Sequence, residues 1–158
     1  MFGSENEHQE DEHQAAEPVV IIPCSAGKLD HPAPAGKLYT GSYHTACRRA
    51  ADALTANGGT ILVLSARNGL IPLDRVTEPY DMRMGDPGCV TAAELRDQTT
   101  RMGLAQAANV TILAGTAYTA AARAVWPHAS TPLAGSRGIG EHRTRLAALA
   151  REQFATAV

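Results

Sequence analysis

Two short, uninterrupted aliphatic runs, Val19-Val20-Ile21-Ile22 and Thr60-Ile61-Leu62-Val63-Leu64, limit what this chain can fold into more than any other feature of its sequence. A strand with one wet face alternates apolar and polar side chains. A run that stays apolar belongs to a strand covered on both faces, the usual state of a parallel sheet. The residues between the runs fit that reading. Residues 23–41 are polar and rich in Pro and Gly; residues 43–56 are Ala-rich and helical in pattern, with Ser42 placed to cap the helix and Asn57-Gly58-Gly59 to stop it. Strand, helix and strand joined by a right-handed crossover predict parallel neighbours. The expected fold class is α/β: a single three-layer domain with a small, mainly parallel sheet flanked by helices.

The remainder extends this pattern. Residues 65–88 form a long, charged connection, and structureless loops of that length in compact domains are usually functional. Thr91, with Glu94 three residues on in capping-box spacing, opens a helix to about residue 107. Residues 110–113 are a third strand, followed by Gly115 and a short helix through Ala124. Residues 127–140 read as irregular with a short strand at 131–133, and residues 141–155 as the last helix. With 158 residues, 44% of them hydrophobic, the chain fits one domain with an ample core.

Charge and cysteine content narrow the classes further. Residues 1–17 hold six acids (Glu5, Glu7, Glu10, Asp11, Glu12, Glu17) and no Lys or Arg, which predicts a disordered acidic tail ahead of a domain at 18–158. That domain carries 14 basic residues against 10 acidic ones (16 less the tail's six), a net +4. The excess permits a polyanionic partner, and it equally serves to keep an Ala-rich protein in solution. Cys24, Cys47 and Cys89 are scattered without CxxC pairing, so neither a disulfide framework nor a thiolate zinc site is indicated. His8 and His13 in the tail lack a third ligand, and no metal is expected. No apolar run approaches the roughly 20 residues that span a bilayer, and the start lacks a basic-then-apolar leader. A cytoplasmic location without a membrane partner is expected.

Ligands of open parallel sheets bind outside the carboxyl ends of the strands. That rule selects Pro23-Cys24-Ser25-Ala26-Gly27-Lys28, Ser65-Ala66-Arg67-Asn68-Gly69 and Gly115-Thr116-Ala117-Tyr118. Ser25 supplies a hydroxyl, and Lys28 a compact cation able to meet phosphate or carboxylate. The GxxxxGK[ST] and GxGxxG spacings are both missing, which disfavours ATP and NAD and leaves no cofactor expected. Gly135-Ser136-Arg137-Gly138-Ile139-Gly140 looks phosphate-binding but follows no convincing strand. Cys24 reads as packing before nucleophile, since nothing nearby is clearly a base. His44, near the start of a helix, is a neutral hydrogen-bonding partner or a structural residue. Asp74 and Asp81 are turn caps or, in the company of Arg67, Tyr80 and Arg83, functional groups.

The segments PCSAGK, LYTGSYH and LSARNGLIPLDRVTEPYDMRMGD together resemble the YaaA-like peroxide-stress proteins. The shared positions are Ser25 and Lys28, Tyr39-Thr40-Gly41, Ser65, Gly69, Pro72-Leu73-Asp74, Pro79-Tyr80 and Met84-Gly85. They cover residues 19–86, about half of the expected domain. The chain departs in being much shorter than the full YaaA proteins and in having Asn68 where an aromatic is common. A shorter stretch is similar to part of archaeosine synthase, which acts on a modified base in transfer RNA. The main resemblance implies a mixed α/β fold with a cationic cleft, nucleic-acid binding and a link to protection from oxidative damage.

Together these readings predict recognition of a nucleotide or nucleobase within a nucleic acid, with action on its N-glycosidic bond as the chemistry to be tested. Lys28, Asp74 and Asp81 are the catalytic candidates; Ser25, Tyr39, Ser42, His44, Ser65, Arg67, Tyr80 and Arg83 are the binding candidates. An enzyme acting on a free nucleotide or nucleoside is the first alternative. A non-catalytic protein-interaction module using the acidic tail or the Ala-rich helices is the second. Aromatics make up only 4% of the chain, which argues against an extended base-stacking platform. Tyr39, Tyr43 and Tyr80 suffice to sandwich one base.

Overall fold

The computed structural model describes residues 17–156, so residues 1–16 of the expected acidic tail lie outside the described residues. Among the described residues there are six strands, β1 (Val19–Pro23), β2 (Ala33–Pro34), β3 (Thr60–Ser65), β4 (Gly69–Pro72), β5 (Val76–Thr77) and β6 (Val110–Ile112), and five helices. The helices are α1 (Ala35–Leu38), α2 (Ser42–Leu54), α3 (Ala92–Met102), α4 (Thr116–Arg123) and α5 (Ile139–Thr156). Four strands form one sheet in the order β4-β3-β1-β6, while β2 and β5 make a separate antiparallel pair. β1 is parallel to both neighbours, with Ile21 beside Leu62 on one side and Ile112 on the other.

The continuous apolar runs are explained by the layers. Val20 and Ile22 pack with Cys47, Ala50 and Ala51 of α2 and Leu146 of α5. Val19 and Ile21 point the other way, toward Leu95 of α3 and Ala122 and Trp126 at α4. The strand period of two thus divides one run between two cores, and each fully buried aliphatic side chain contributes about 1.5–3 kcal/mol. The α/β three-layer arrangement follows. Among the described residues, no helix is long and apolar enough to cross a membrane.

Several boundaries differ from expectation. Ser42 is the first residue of α2, and Gly41 takes the cap position with no side-chain cap bond. The Ser42 hydroxyl instead receives Arg143 Nη2 at 2.7 Å. α3 stops at Met102, five residues early, because Gly103 adopts φ +74 as a left-handed cap; Thr91 does cap its start, accepting from Glu94 N. No strand forms at 131–133, where the chain makes only a parallel bridge between Ser130 and Thr111.

The largest departure is in residues 65–88, which are not structureless. They fold into β4, antiparallel to β3, and β5, paired with β2. Gly69 permits the hairpin: its φ is +76, and a Cβ there would collide with the Gln98 amide. Gln98 in turn holds the outer side of β4, its Oε1 accepting from Leu70 N at 2.9 Å and its Nε2 donating to Asn68 O at 2.9 Å.

Candidate functional site

Because β1 and β3 run side by side in one direction, Pro23 beside Leu64, the segments leaving them emerge together. The β1 exit doubles back as a narrow ribbon in which Leu29 N donates to Leu38 O at 2.9 Å, Thr40 N donates to Gly27 O at 3.0 Å, and Lys28 faces Tyr39. Ser25 stitches this ribbon closed, its Oγ donating to Gly27 O at 2.7 Å and accepting from Gly41 N at 3.4 Å. Its hydroxyl is engaged in shaping the loop.

Three buried hydroxyls form the centre of the edge. Asn68 N donates to Ser65 Oγ at 3.0 Å, Ser65 Oγ donates to Tyr80 OH at 2.7 Å, and Tyr80 OH shares a 2.7 Å bond with Tyr39 OH. The two tyrosine rings meet edge to face, centroids 6.4 Å apart. Burial pushes the Tyr39 hydroxyl up to about 12 and drives Tyr80 upward as well. Both remain neutral phenols at ordinary pH, and neither serves as a general base.

The Lys28 ammonium lies 4.4 Å from the Tyr80 ring centroid and 5.8 Å from that of Tyr39. A cation held over aromatic faces gains about 0.5–2 kcal/mol. Among the described residues no carboxylate pairs with it, so this half-buried positive charge has ring faces for company and no counter-ion. His44 completes the cluster from α2, its ring 5.1 Å from Tyr39. Its Nδ1–H donates to Pro23 O at 2.7 Å. Desolvation holds its pKa below the usual histidine value, so the ring is neutral and Nε2 keeps its lone pair.

The third exit joins from the far side of β1. Tyr118 of α4 places its hydroxyl 3.2 Å from Cys24 Sγ and accepts from Met84 N at 3.4 Å. Cys24 is thus in a thiol–phenol contact as well as in the core. From α5, His142 Nδ1 meets Tyr43 OH at 2.9 Å. Sequence reasoning missed His142 and Arg143, which come from the last helix about a hundred positions from their partners and carry no local motif.

Of the expected residues, Ser25, Lys28, Tyr39, His44, Ser65 and Tyr80 are gathered by these contacts. Ser42 sits one residue before Tyr43, bound to Arg143. Arg67 is exposed on the β3–β4 turn and lines an open cleft of about 330 Å3 with Arg75, Asn68 and Glu78. Asp81 follows Tyr80, exposed, with no hydrogen bond or ion pair among the described residues. The Arg83 side chain is exposed, and its main-chain N–H donates to Asp86 Oδ2 at 2.8 Å. Asp74 is removed from the cluster: Pro72 pairs with Leu62, three residues before Ser65, which sets the following turn about 10 Å back from the edge. Among the described residues, no three His, Cys, Asp or Glu side chains are grouped so as to hold a metal ion.

The fold and this edge define a small α/β protein with a polar strand-exit site. Residues 19–148, which are 130 of the 158, match the model of a family of unknown function, DUF6884, and the chain belongs to that family. No curated protein and no solved structure matches it.

Proposed function

We propose that this protein binds nucleic acid, or a nucleotide within it, at the strand-exit edge through phosphate contacts centred on Lys28. The observation that carries the reading is the half-buried Lys28 ammonium, positioned by Tyr39 and Tyr80 and paired with no carboxylate among the described residues. A fixed cation lacking its own counter-charge is matched by an anionic ligand, and the phosphate backbone supplies most of the affinity in nucleic-acid complexes. The exposed guanidinia of Arg67 and Arg75 extend the positive surface along the neighbouring cleft. The net +4 of residues 18–158 and the resemblance to YaaA-like proteins agree with it. The same resemblance supplies the expectation of a role in protection from oxidative damage, and the sequence itself that of a cytoplasmic location.

The proposal is one of binding, with cleavage of a glycosidic bond left as a separate step. Tyr39 and Tyr80 are neutral, Asp74 lies back from the edge, and Asp81 would have to act from solvent. Fluorescence anisotropy of labelled short DNA and RNA at two salt concentrations tests the reading. Binding that weakens with salt is expected, with Lys28→Ala lowering the slope of log K against log salt by about 1 and Lys28→Arg retaining it. Absence of salt-dependent binding at low ionic strength sinks the proposal.

A further inference from the structure

In a parallel sheet a crevice opens where adjacent strands send their chains to opposite faces. Here that place lies between β6, which leads to α4 on one face, and the Ser130 segment bridged in parallel beside it, which leads to α5, packed with α2, on the other. A cleft of about 400 Å3 occupies it, within the range of roughly 300–1,000 Å3 of small-molecule sites. The space exists because its walls stop early: Ala114 at the β6 exit, Ala120 on α4, then Ala134 and Gly135 before α5. A Cβ built at Gly115 or Gly135 would meet no atom within 4 Å.

One wall is a single face of α4, with Thr116, Thr119, Ala120 and Arg123 at i, i+3, i+4 and i+7. The available donors are the Arg123 guanidinium, which gives one N–H to Pro127 O at 3.1 Å and has no carboxylate partner among the described residues, the Thr116 hydroxyl, and His142. The His142 ring is held through Nδ1 to Tyr43 OH; with that hydroxyl as the donor, Nε2 carries the ring proton and is the nitrogen left for a ligand. Among the described residues no Asp or Glu lines the space. These groups suit an anion. Thr119 and Ser136 differ, because their protons are committed to Ala114 O at 3.1 Å and Leu133 O at 2.6 Å. They offer lone pairs, which suit hydroxyl or N–H groups. The alanines and Leu133 offer an apolar wall to a flat ring.

A ligand with an anionic end, several hydroxyls and a planar ring meets all three demands, and we propose that this cleft binds a nucleoside monophosphate. The site is separate from the Lys28 cluster and does not rest on the polymer-binding reading. Calorimetric titration of the full chain with AMP, GMP, CMP and UMP, with the corresponding nucleosides, and with inorganic phosphate alone tests it. At least one monophosphate is expected to bind at or below millimolar concentration, tenfold or more tighter than its nucleoside. Ala120→Phe, which projects a ring into the cleft from an exposed helical position, should weaken that binding at least tenfold with little change in melting temperature. Arg123→Gln should weaken it about tenfold, and covers the case in which the first variant fails to fold. Lys28→Ala should leave mononucleotide affinity unchanged while reducing binding of DNA and RNA, so the two proposals fail separately. Failure of every monophosphate to bind, or wild-type affinity in a folded Ala120→Phe or Arg123→Gln, overturns the assignment.

Discussion

The exits of β1 and β3 and the exit of β6 share one edge of one sheet and are built in opposite ways. The first is filled: Tyr39, Tyr80, Ser65 and His44 bond to one another and to main chain, and no buried side-chain N or O among the described residues lacks a partner. The second is left open by alanines and glycines, with partly exposed polar groups around the space. Chemistry that looks alike in sequence, small polar residues after a strand, therefore produces a rigid platform on one side and a receptacle on the other. The platform fixes a charge at its surface; the receptacle has room for a ligand.

That contrast is broken most severely by removing a ring from the filled half. Tyr39→Ala should cost about 3–5 kcal/mol of unfolding free energy in urea titration, whereas Ala120→Phe in the open half should change it by no more than about 0.5 kcal/mol. Equal losses at the two positions would show that the halves are packed alike. Tyr80→Phe keeps the ring and deletes the hydroxyl between Ser65 and Tyr39, which strands their hydrogen bonds. A loss of about 1–3 kcal/mol is expected in the same assay.

Acid and alkali sharpen the comparison with smaller effects. Tyr39 ionises near 12 in the folded protein against 10 in the unfolded chain, so between those values the folded state holds the extra proton. Its contribution is intact below pH 10 and is lost as pH rises toward 12. Phe at position 39 should reduce that alkaline sensitivity. His44 has the reverse sense: its folded pKa lies below the usual 6.5, the unfolded chain takes up the proton first, and stability falls as pH drops below 6.5. His44→Gln should flatten the acid side of the stability–pH curve, and an unchanged acid limb would show that another group sets it.

How much of this was legible in the chain depends on range. β1 and β3 announced themselves because a strand covered on both faces needs apolar residues at every position, and the parallel pairing followed from the helix between them. β4 was hidden by its length: four residues, one of them Pro72, are too few to show a period. Asn68-Gly69 followed by Leu70-Ile71 was the available signal, since that dipeptide favours the tight turn of a hairpin. The convergence of Ser25, Lys28, Tyr39, His44, Ser65 and Tyr80 could be anticipated from strand-exit logic. The hydrogen bonds among them could not, because they are set by where the β4–β5 excursion returns Tyr80. Asp74 was grouped with the site for the company of Arg67, Tyr80 and Arg83 in sequence and for its place in the Pro72-Leu73-Asp74 segment of the resemblance, and the antiparallel course of β4 sets it back from the edge.

Gln98 has a consequence for how this molecule can meet another. Its amide occupies the outward groups of Leu70 and Asn68 as a neighbouring chain would, and Pro72 contributes no N–H farther along. At the opposite margin, Ser130 likewise exchanges bonds with Val110 and Ile112. Both rims of the sheet are thereby sealed against recruitment of a foreign strand, a common route to swapped dimers and fibrils.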